Sequence, residues 1–164
     1  VYKRQAAMQK ILSPDELKKT LDGLKARGCR IVFTNGCFDL IHQGHVSYLR
    51  EAKALGDVLV IALNSDSSVA SIKGPERPIV PEKERMTVVA ALESADFVTL
   101  FHEDTPRHLI EYLKPHILVK GGDWSEENVA GRDAVERVVI IPSVPGVSTT
   151  DIIARIKERL RHEP

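Results

Sequence analysis

The sequence lacks three features that would each point to a particular class of protein. Its 23 basic and 23 acidic residues cancel, so no global charge attracts nucleic acid or an acidic membrane, and any anion site must be local. No apolar run approaches the length of a membrane span, and the first eight residues lack the apolar stretch of a secretory signal. We therefore expect a cytoplasmic protein that binds neither nucleic acid nor membranes.

Cysteine is scarce as well. Cys29 and Cys37 follow no ligand-pair spacing, and two cysteines in 164 residues do not make a disulfide scaffold. We expect both thiols to be reduced and no structural zinc to be present. The length suits one core of ordinary size, so we predict an N-terminal extension over residues 1–12 and a single domain over residues 13–164.

The sequence does contain a regular alternation of apolar strands and helices. Five apolar, largely β-branched runs predict strands, at 31–33, 57–63, 97–101, 116–120 and 138–141. Capping residues and helical spacing predict helices over 13–28, 46–56, from Pro81, from Thr105 to before Pro115, 133–137 and from Ser148. The expected buried side of the last helix consists of Ile152, Ile153, Ile156 and Leu160.

The run 57–63 is typical of a strand covered on both faces, as in a parallel sheet. We therefore predict an α/β fold: a single Rossmann-like, doubly wound domain with a five-stranded parallel sheet and right-handed crossovers. In such sheets ligands bind beyond the carboxyl ends of the strands. The candidate residues described next all fall at that edge.

The stretch from Thr34 to His45 connects the first strand to a helix. His42 and His45 lie near the helix N-terminus, where backbone N–H groups and the helix dipole favour an anion, and Gly44 lets a phosphate approach the backbone. Two imidazoles three residues apart can donate hydrogen bonds to phosphate oxygens. The same residues could instead hold a metal or serve as surface and capping residues.

A second group of candidates follows the second strand. Asn64 and Asp66 come directly after it, and a long connection over residues 67–80 carries Lys73 and Arg77. A connection of this length is unusual in a compact domain unless it has a function, although a solvated basic loop is the alternative.

A third group follows the fourth and fifth strands. Gly121 and Gly122 permit close approach of a ligand to the backbone, and Asp123 and Trp124 could read and cover a base, although Gly-Gly-Asp is also a common turn. The hydroxyls of residues 148–150 suit a second anion site at a helix N-terminus, although capping explains part of that stretch.

These motifs resemble the nucleotidyltransferase superfamily of cytidylyltransferases and class I aminoacyl-tRNA synthetases, in which His-x-Gly-His embraces the α-phosphate of a nucleoside triphosphate. Phe-Asp, His-x-Gly-His, Lys-Gly-x-x-Arg-Pro, Lys-Gly-Gly-Asp-Trp and Gly-Val-Ser-Thr-Thr look most like those of the bacterial heptose 1-phosphate adenylyltransferases. That activity occurs in free-standing proteins and as the second domain of proteins that begin with a sugar kinase. The resemblance covers only the transferase part and implies the free-standing form or an excised domain.

The resemblance implies that ATP and a sugar 1-phosphate bind and that the protein forms a dimer or higher homo-oligomer. Mg²⁺ would be carried mainly by the triphosphate, with no metal site of the protein's own. The implied catalytic residues are His42, His45 and Lys73. The implied nucleotide-binding residues are Cys37, Phe38, His42, Gly44, His45, Gly121, Asp123, Trp124, Ser148, Thr149 and Thr150. The implied substrate-binding residues are Asp39, Asn64, Asp66, Lys73, Arg77 and Arg85.

One departure from the pattern concerns the triphosphate. Cytidylyltransferases of the superfamily carry an arginine shortly before Ser-Thr-Thr, and residues 142–145 contain none. Another cation must take its place, and Lys73, Arg77 and Arg85 are the candidates. Two alternative functions stay open: a cytidylyltransferase acting on glycerol 3-phosphate or a similar substrate, and a non-catalytic nucleotide-binding module.

Overall fold

The computed structural model describes residues 9–122 and 124–161. Its strands are β1 (Ile31–Gly36), β2 (Val58–Asn64), β3 (Phe97–Phe101), β4 (Ile117–Gly121) and β5 (Arg137–Ile141). The α-helices in this part of the chain are α1 (Pro14–Ala26), α2 (Gln43–Lys53), α3 (Asp66–Lys73), α4 (Glu82–Ala90), α5 (Arg107–Leu113) and α6 (Thr149–Arg161). Two short 3-10 helices, Glu126–Asn128 and Arg132–Ala134, precede β5.

The strands form one five-stranded sheet in the order β3-β2-β1-β4-β5, and every pair is parallel. The chain steps outward from β1 to β3 and then crosses back to place β4 on the other side of β1. The order therefore reverses between β1 and β4, and ligands bind at such a point in open α/β sheets. The predicted parallel sheet is confirmed.

Helices cover both faces of the sheet. On one face Leu17 and Leu21 of α1 and Ile110 of α5 pack with Phe33 and Leu118. On the other face α2 and α4 contribute Leu49 and Val89 to a second apolar cluster. All seven residues of β2 are buried, as its unbroken apolar run predicted. The sheet is thus a rigid layer that fixes the positions of the loops at its carboxyl edge.

The connection after β2 differs from the predicted long loop. Ser65 caps α3 by accepting a hydrogen bond from the Ser68 N–H, and Gly74 ends the helix at a φ of 98° that favours glycine. Helix α3 is short and contributes Val69 to the core, so its apolar signal is weak in the sequence. Lys73 therefore lies in the last turn of a helix, and the irregular segment begins at Gly74.

Two further predictions are wrong in detail. The helix expected over 133–137 is a 3-10 turn over Arg132–Ala134, and β5 already begins at Arg137. The expected buried side of α6 is only partly covered, because Ile156 and Leu160 are 50% and 63% exposed. Helical spacing shows that one face of α6 is apolar, but it does not supply an element to cover that face.

Residues just before α1 run beside β3. Leu12 donates a backbone hydrogen bond to Val98, Val98 donates one to Lys10, and the Lys10 ammonium donates to the Ala95 carbonyl. The rest of the predicted N-terminal extension, residues 1–8, lies outside the described residues. Among the residues described, no helix is both long enough and apolar enough to cross a lipid bilayer.

Candidate nucleotide site

A cavity of about 870 Å³ opens at the carboxyl edge of the sheet, over the point where the strand order reverses. Most predicted site residues line it, although they come from four different connections. They are Cys37, Phe38, Asp39, His42, Gly44, His45, Asn64, Lys73, Arg77, Gly121, Trp124, Ser148, Thr149 and Thr150. Asp66 and Arg85 are not part of its wall, and Asp123 lies outside the described residues.

The β1–α2 loop has an unusual backbone. Phe38 and Leu40 have φ values of 49° and 53°, a left-handed conformation that non-glycine residues rarely adopt. Such strain concentrates at functional sites, where the surrounding structure holds it in place. Phe38 is anchored because its ring is buried, and it lies 5.4 Å from the His45 ring, centroid to centroid.

The two histidines form a stacked pair. Their ring centroids are 3.9 Å apart, with an angle of 27° between the planes. The backbone N–H of His42 donates a long hydrogen bond of 3.4 Å to His45 Nδ1. An accepting Nδ1 leaves the proton of a neutral His45 on Nε2. His42 Nδ1 is buried and has no hydrogen-bond partner among the described residues.

Burial determines the charge of this pair. Burial and, to a smaller extent, the neighbouring His42 lower the pKa of His45 to about 4, while Asp39 acts in the opposite direction. Burial also lowers the pKa of His42, against the attraction of Asp151. At neutral pH both rings are therefore neutral hydrogen-bond donors.

The N-terminus of α6 approaches the same loop. Thr149 Oγ1 donates a hydrogen bond of 2.6 Å to the backbone carbonyl of Asp39. Ser148 donates through Oγ to the Asp151 carboxylate at 2.6 Å and accepts from the Asp151 N–H at 3.1 Å. Ser148 is thus a capping residue, the alternative that the sequence left open. Both predicted anion sites nevertheless face one cavity, because the Thr149–Asp39 hydrogen bond joins the N-terminus of α6 to the β1–α2 loop.

The buried side chain of Asp39 holds the segment that follows α3 by hydrogen bonds. It is fully buried and accepts from Arg77 Nε at 2.8 Å and from the N–H groups of Ile79 and Val80 at 2.8 and 2.9 Å. Burial opposes ionisation of this carboxyl, but the donors from Ile79, Val80 and Arg77 outweigh it and lower its pKa. Substrate contact by Asp39 stays a prediction.

Arg85 and Asp66 hold the loops behind the cavity. The Arg85 side chain is 1% exposed and donates to the Val80 carbonyl at 2.9 Å, to the Cys37 carbonyl at 2.5 Å and to Asp66 Oδ1 at 2.7 Å. Arg85 thus joins the end of β1 to the segment after α3. The geometry favours a structural role for this pair, in contrast to the substrate contact that the sequence predicted.

We expect Arg85→Met to lower the free energy of unfolding by about 3 kcal/mol, because two backbone carbonyls and one carboxylate lose the donors of a buried side chain. Urea unfolding measures this, with exposed Arg155→Met as a control that should change it by less than about 0.5 kcal/mol. A loss below about 1 kcal/mol for Arg85→Met would show that the network is dispensable.

Sequence reasoning missed several residues of the wall, among them Asn35, Tyr48 and Lys120. The Tyr48 hydroxyl bonds Thr34 Oγ1 at 2.5 Å and donates to the Val119 carbonyl at 3.1 Å, and burial raises the pKa of Tyr48 to about 12. A Cβ on Gly121 would lie 3.2 Å from the Tyr48 ring. Asn35 and Lys120 are each the next-to-last residue of neighbouring strands. Their position near the carboxyl ends was the one signal in the sequence that could have identified them.

The cavity wall is rich in hydrogen-bond donors. Imidazoles of α2, the exposed ammonium of Lys73 and the half-buried ammonium of Lys120 all border it. Asn64 is buried at the end of β2 and donates through Nδ2 to Ser68 Oγ at 2.9 Å. Residues 9–122 and 124–161 contain no cluster of three His, Cys, Asp or Glu side chains that could hold a metal ion. This donor set suits phosphate oxygens.

Residues 33–155 match the profile of the cytidylyltransferase-like family. The chain therefore belongs to that family. Among its curated relatives are proteins named bifunctional protein HldE. The one from Pelobacter propionicus is 54% identical over 154 residues, which is 92% of this chain and 32% of the relative. The one from Hahella chejuensis is 49% identical over 162 residues, 96% of this chain and 34% of the relative. The chain thus spans about a third of the length of these relatives.

Two solved structures share the fold. The lipopolysaccharide core biosynthesis protein from Thermoplasma volcanium aligns with a TM-score of 0.61 and 28% identity, over 71% of this chain and 99% of its own. Pantoate-beta-alanine ligase from Francisella tularensis aligns with a TM-score of 0.57 and 14% identity, over 93% of this chain and 79% of its own. The second likeness is one of fold alone.

Proposed function

We propose that the protein transfers AMP from ATP to D-glycero-β-D-manno-heptose 1-phosphate, which gives ADP-heptose and pyrophosphate for lipopolysaccharide core biosynthesis. The observation that carries this proposal is the single cavity in which the stacked pair His42–His45 and the N-terminus of α6 meet. Two helix N-termini facing one cavity suit the α-phosphate and the terminal phosphates of one triphosphate. The cavity volume of about 870 Å³ suits a nucleotide together with a small second substrate.

The reaction is an in-line attack of a sugar 1-phosphate oxygen on the α-phosphorus of ATP, with pyrophosphate as the leaving group. The attacking phosphate is ionised at neutral pH, so catalysis needs positioning and charge stabilisation rather than a general base. His42 and His45 act as neutral donors to the α-phosphate, and Lys73 supplies positive charge at the cavity wall. Gly121 and Trp124, with Asp123, border the base, and Asn64 and Arg77 face the sugar phosphate.

Mg²⁺ is the proposed cofactor. The wall offers imidazole, ammonium and hydroxyl donors to phosphate oxygens, and Mg²⁺ prefers oxygen ligands, which the triphosphate itself supplies. When bound, Mg²⁺ neutralises charge on the phosphates. His42, His45 and the N-terminus of α6 would bind phosphate oxygens of the triphosphate that carries the ion.

The choice of substrates is supported by the relatives. Proteins named HldE are about half identical to this chain over most of its length, and a protein of lipopolysaccharide core biosynthesis shares its fold. The choice of heptose follows from the resemblance of the five motifs in the loops. We also propose that the protein works as a homo-oligomer in the cytoplasm, where ATP is available.

The test is pyrophosphate release over a grid of ATP, CTP, GTP and UTP against heptose 1-phosphate, hexose 1-phosphates and glycerol 3-phosphate. We expect ATP with the β-anomer of heptose 1-phosphate to exceed every other pair by at least about tenfold, the margin that a few hydroxyl contacts supply. Faster turnover of CTP with glycerol 3-phosphate would overturn the assignment. Binding of ATP with no release in any pair would indicate a non-catalytic module.

A further inference from the structure

Lys120 is the next-to-last residue of β4, beside the point where the strand order reverses, and it lines the cavity. Its ammonium donates a hydrogen bond of 2.7 Å to Asn35 Oδ1, at the end of the neighbouring strand β1. A long, flexible side chain is thereby held at one place in the wall. The ammonium has three donors, so this contact leaves others for a ligand.

The electrostatic setting of Lys120 differs from that of the arginines nearby. Arg77 is paired with the Asp39 carboxylate and Arg85 with the Asp66 carboxylate. Lys120 instead bonds a neutral amide. Burial lowers the pKa of Lys120 to about 8, against a smaller effect of Cys37 in the opposite direction. At neutral pH it therefore remains mostly a cation, whose cost of desolvation an anionic ligand would offset.

We propose that the Lys120 ammonium binds a phosphate oxygen of the substrates. This inference rests on the proposed function and deepens it by adding a phosphate-binding residue. Lysine binds phosphate as a point charge, which suits an oxygen that moves during transfer. The oxygen belongs either to the triphosphate or to the sugar 1-phosphate, and the two sources are separable by binding measurements.

Trp124 provides a spectroscopic reporter at this place. Lys120 Nζ lies 5.7 Å from the centroid of its ring, within the range of a cation–π contact. Trp124 is the only tryptophan of the chain. Ligands that enter beside Lys120 should therefore change its fluorescence, and affinity can be measured without turnover.

The experiment compares wild type with Lys120→Met, which keeps the length of the side chain and removes the charge. Adenosine, ATP with Mg²⁺, and heptose 1-phosphate are titrated separately, with Trp124 fluorescence and calorimetry as readouts. We expect Lys120→Met to weaken ATP or heptose 1-phosphate by about 10- to 100-fold, the effect of one hydrogen bond to a charged group. Adenosine affinity should stay within about twofold, and the ligand that is weakened identifies the source of the oxygen.

Two variants guard this result. Lys120→Arg keeps the charge and should recover part of the lost affinity, and Lys19→Met, on the exposed side of α1, should change none of the three. Circular dichroism checks folding, and Lys120→Gln replaces Lys120→Met if the latter does not fold. Equal weakening of adenosine and ATP, or unchanged binding of both phosphate ligands, would overturn the proposal.

Failure of this inference is distinguishable from failure of the proposed function. If the substrate grid shows no turnover while Lys120→Met selectively weakens a phosphate ligand, the proposed reaction fails and the phosphate contact stands. If ATP and heptose 1-phosphate turn over as expected while binding to Lys120→Met is unchanged, the phosphate contact alone fails.

Discussion

Replacing His45 with alanine should lower turnover by about two to four orders of magnitude, the range for loss of one preorganised transition-state donor or of a catalytic group that acts with others. His45 Nδ1 accepts the backbone N–H of His42, which leaves Nε2–H to donate to the α-phosphate in the proposed reaction. The ring is fixed between His42 and Phe38, so the donor needs little reorganisation during the reaction. Pyrophosphate release under saturating substrates measures the effect.

The control for His45→Ala is His108→Ala, since the His108 side chain is 80% exposed on α5. It should keep the wild-type rate, whereas His42→Ala should behave like His45→Ala. Thermal unfolding should show that each variant remains folded. A near-normal rate for His45→Ala would remove this residue from the mechanism.

The pH dependence gives a second readout for His45. Its pKa of about 4 in the free protein lies below the usual value near 6.5, so the ring is already neutral at pH 6 and does not change charge up to pH 8. The profile of kcat/KM reports the free enzyme. It should therefore show no loss from His45 between pH 6 and 8. A fall with a midpoint near 6.5 that disappears in His45→Ala would contradict a neutral donor.

The fold was predictable because its signals are local. The buried strand β2 and the capping box of Ser13 and Glu16 at α1 can each be read from fewer than ten adjacent residues. Once parallel strands alternate with helices, their carboxyl ends must share one edge. This geometric constraint brings His42 and Thr149 to one cavity although they are far apart in the sequence.

The partners of the charged side chains were not predictable in the same way. The sequence correctly places three charged residues beside strands and helices of the site: Asp39, Asp66 and Arg85. Sequence position does not show that the Asp39 carboxylate accepts hydrogen bonds from the segment 77–80, or that the Arg85 side chain points behind the cavity. Each of these contacts joins residues 19 to 48 positions apart. They depend on tertiary packing, which decides whether a charge faces a ligand or the protein.

Lys120 and α6 show the same limit. In the sequence, Lys120 is simply the end of a predicted strand. The partial burial of its ammonium and its contact with Asn35 arise only when β4 and β1 are adjacent, so the sequence alone does not reveal them. The apolar spacing of α6 predicted a buried face, and Leu160 is largely exposed. Periodicity describes one element, whereas burial depends on what another element covers.

Gly44 carries the second large effect that we expect. It lies in the first turn of α2, and a Cβ placed on it would lie 3.0 Å from His42 Cε1, 3.1 Å from His42 Nδ1 and 3.4 Å from the Val147 carbonyl. An alanine there must displace the His42 ring, and its methyl group would occupy space that the phosphate needs beside the helix N-terminus. The backbone of α2 itself tolerates alanine well.

We therefore expect Gly44→Ala to lower turnover by about tenfold to a hundredfold, because the His42 ring must shift by a few tenths of an ångström and the methyl group takes space from the phosphate. A full misplacement of about 1 Å costs about a hundredfold. The free energy of unfolding should change by less than about 1 kcal/mol, because the gain in helix propensity offsets part of the crowding. The matched control is Gly23→Ala in α1, where an added Cβ meets nothing within 4 Å. That variant should be about 0.5–1 kcal/mol more stable than wild type and equally active. Wild-type turnover in Gly44→Ala, measured beside this control, would show that neither the His42 ring nor the space at Gly44 matters to the reaction.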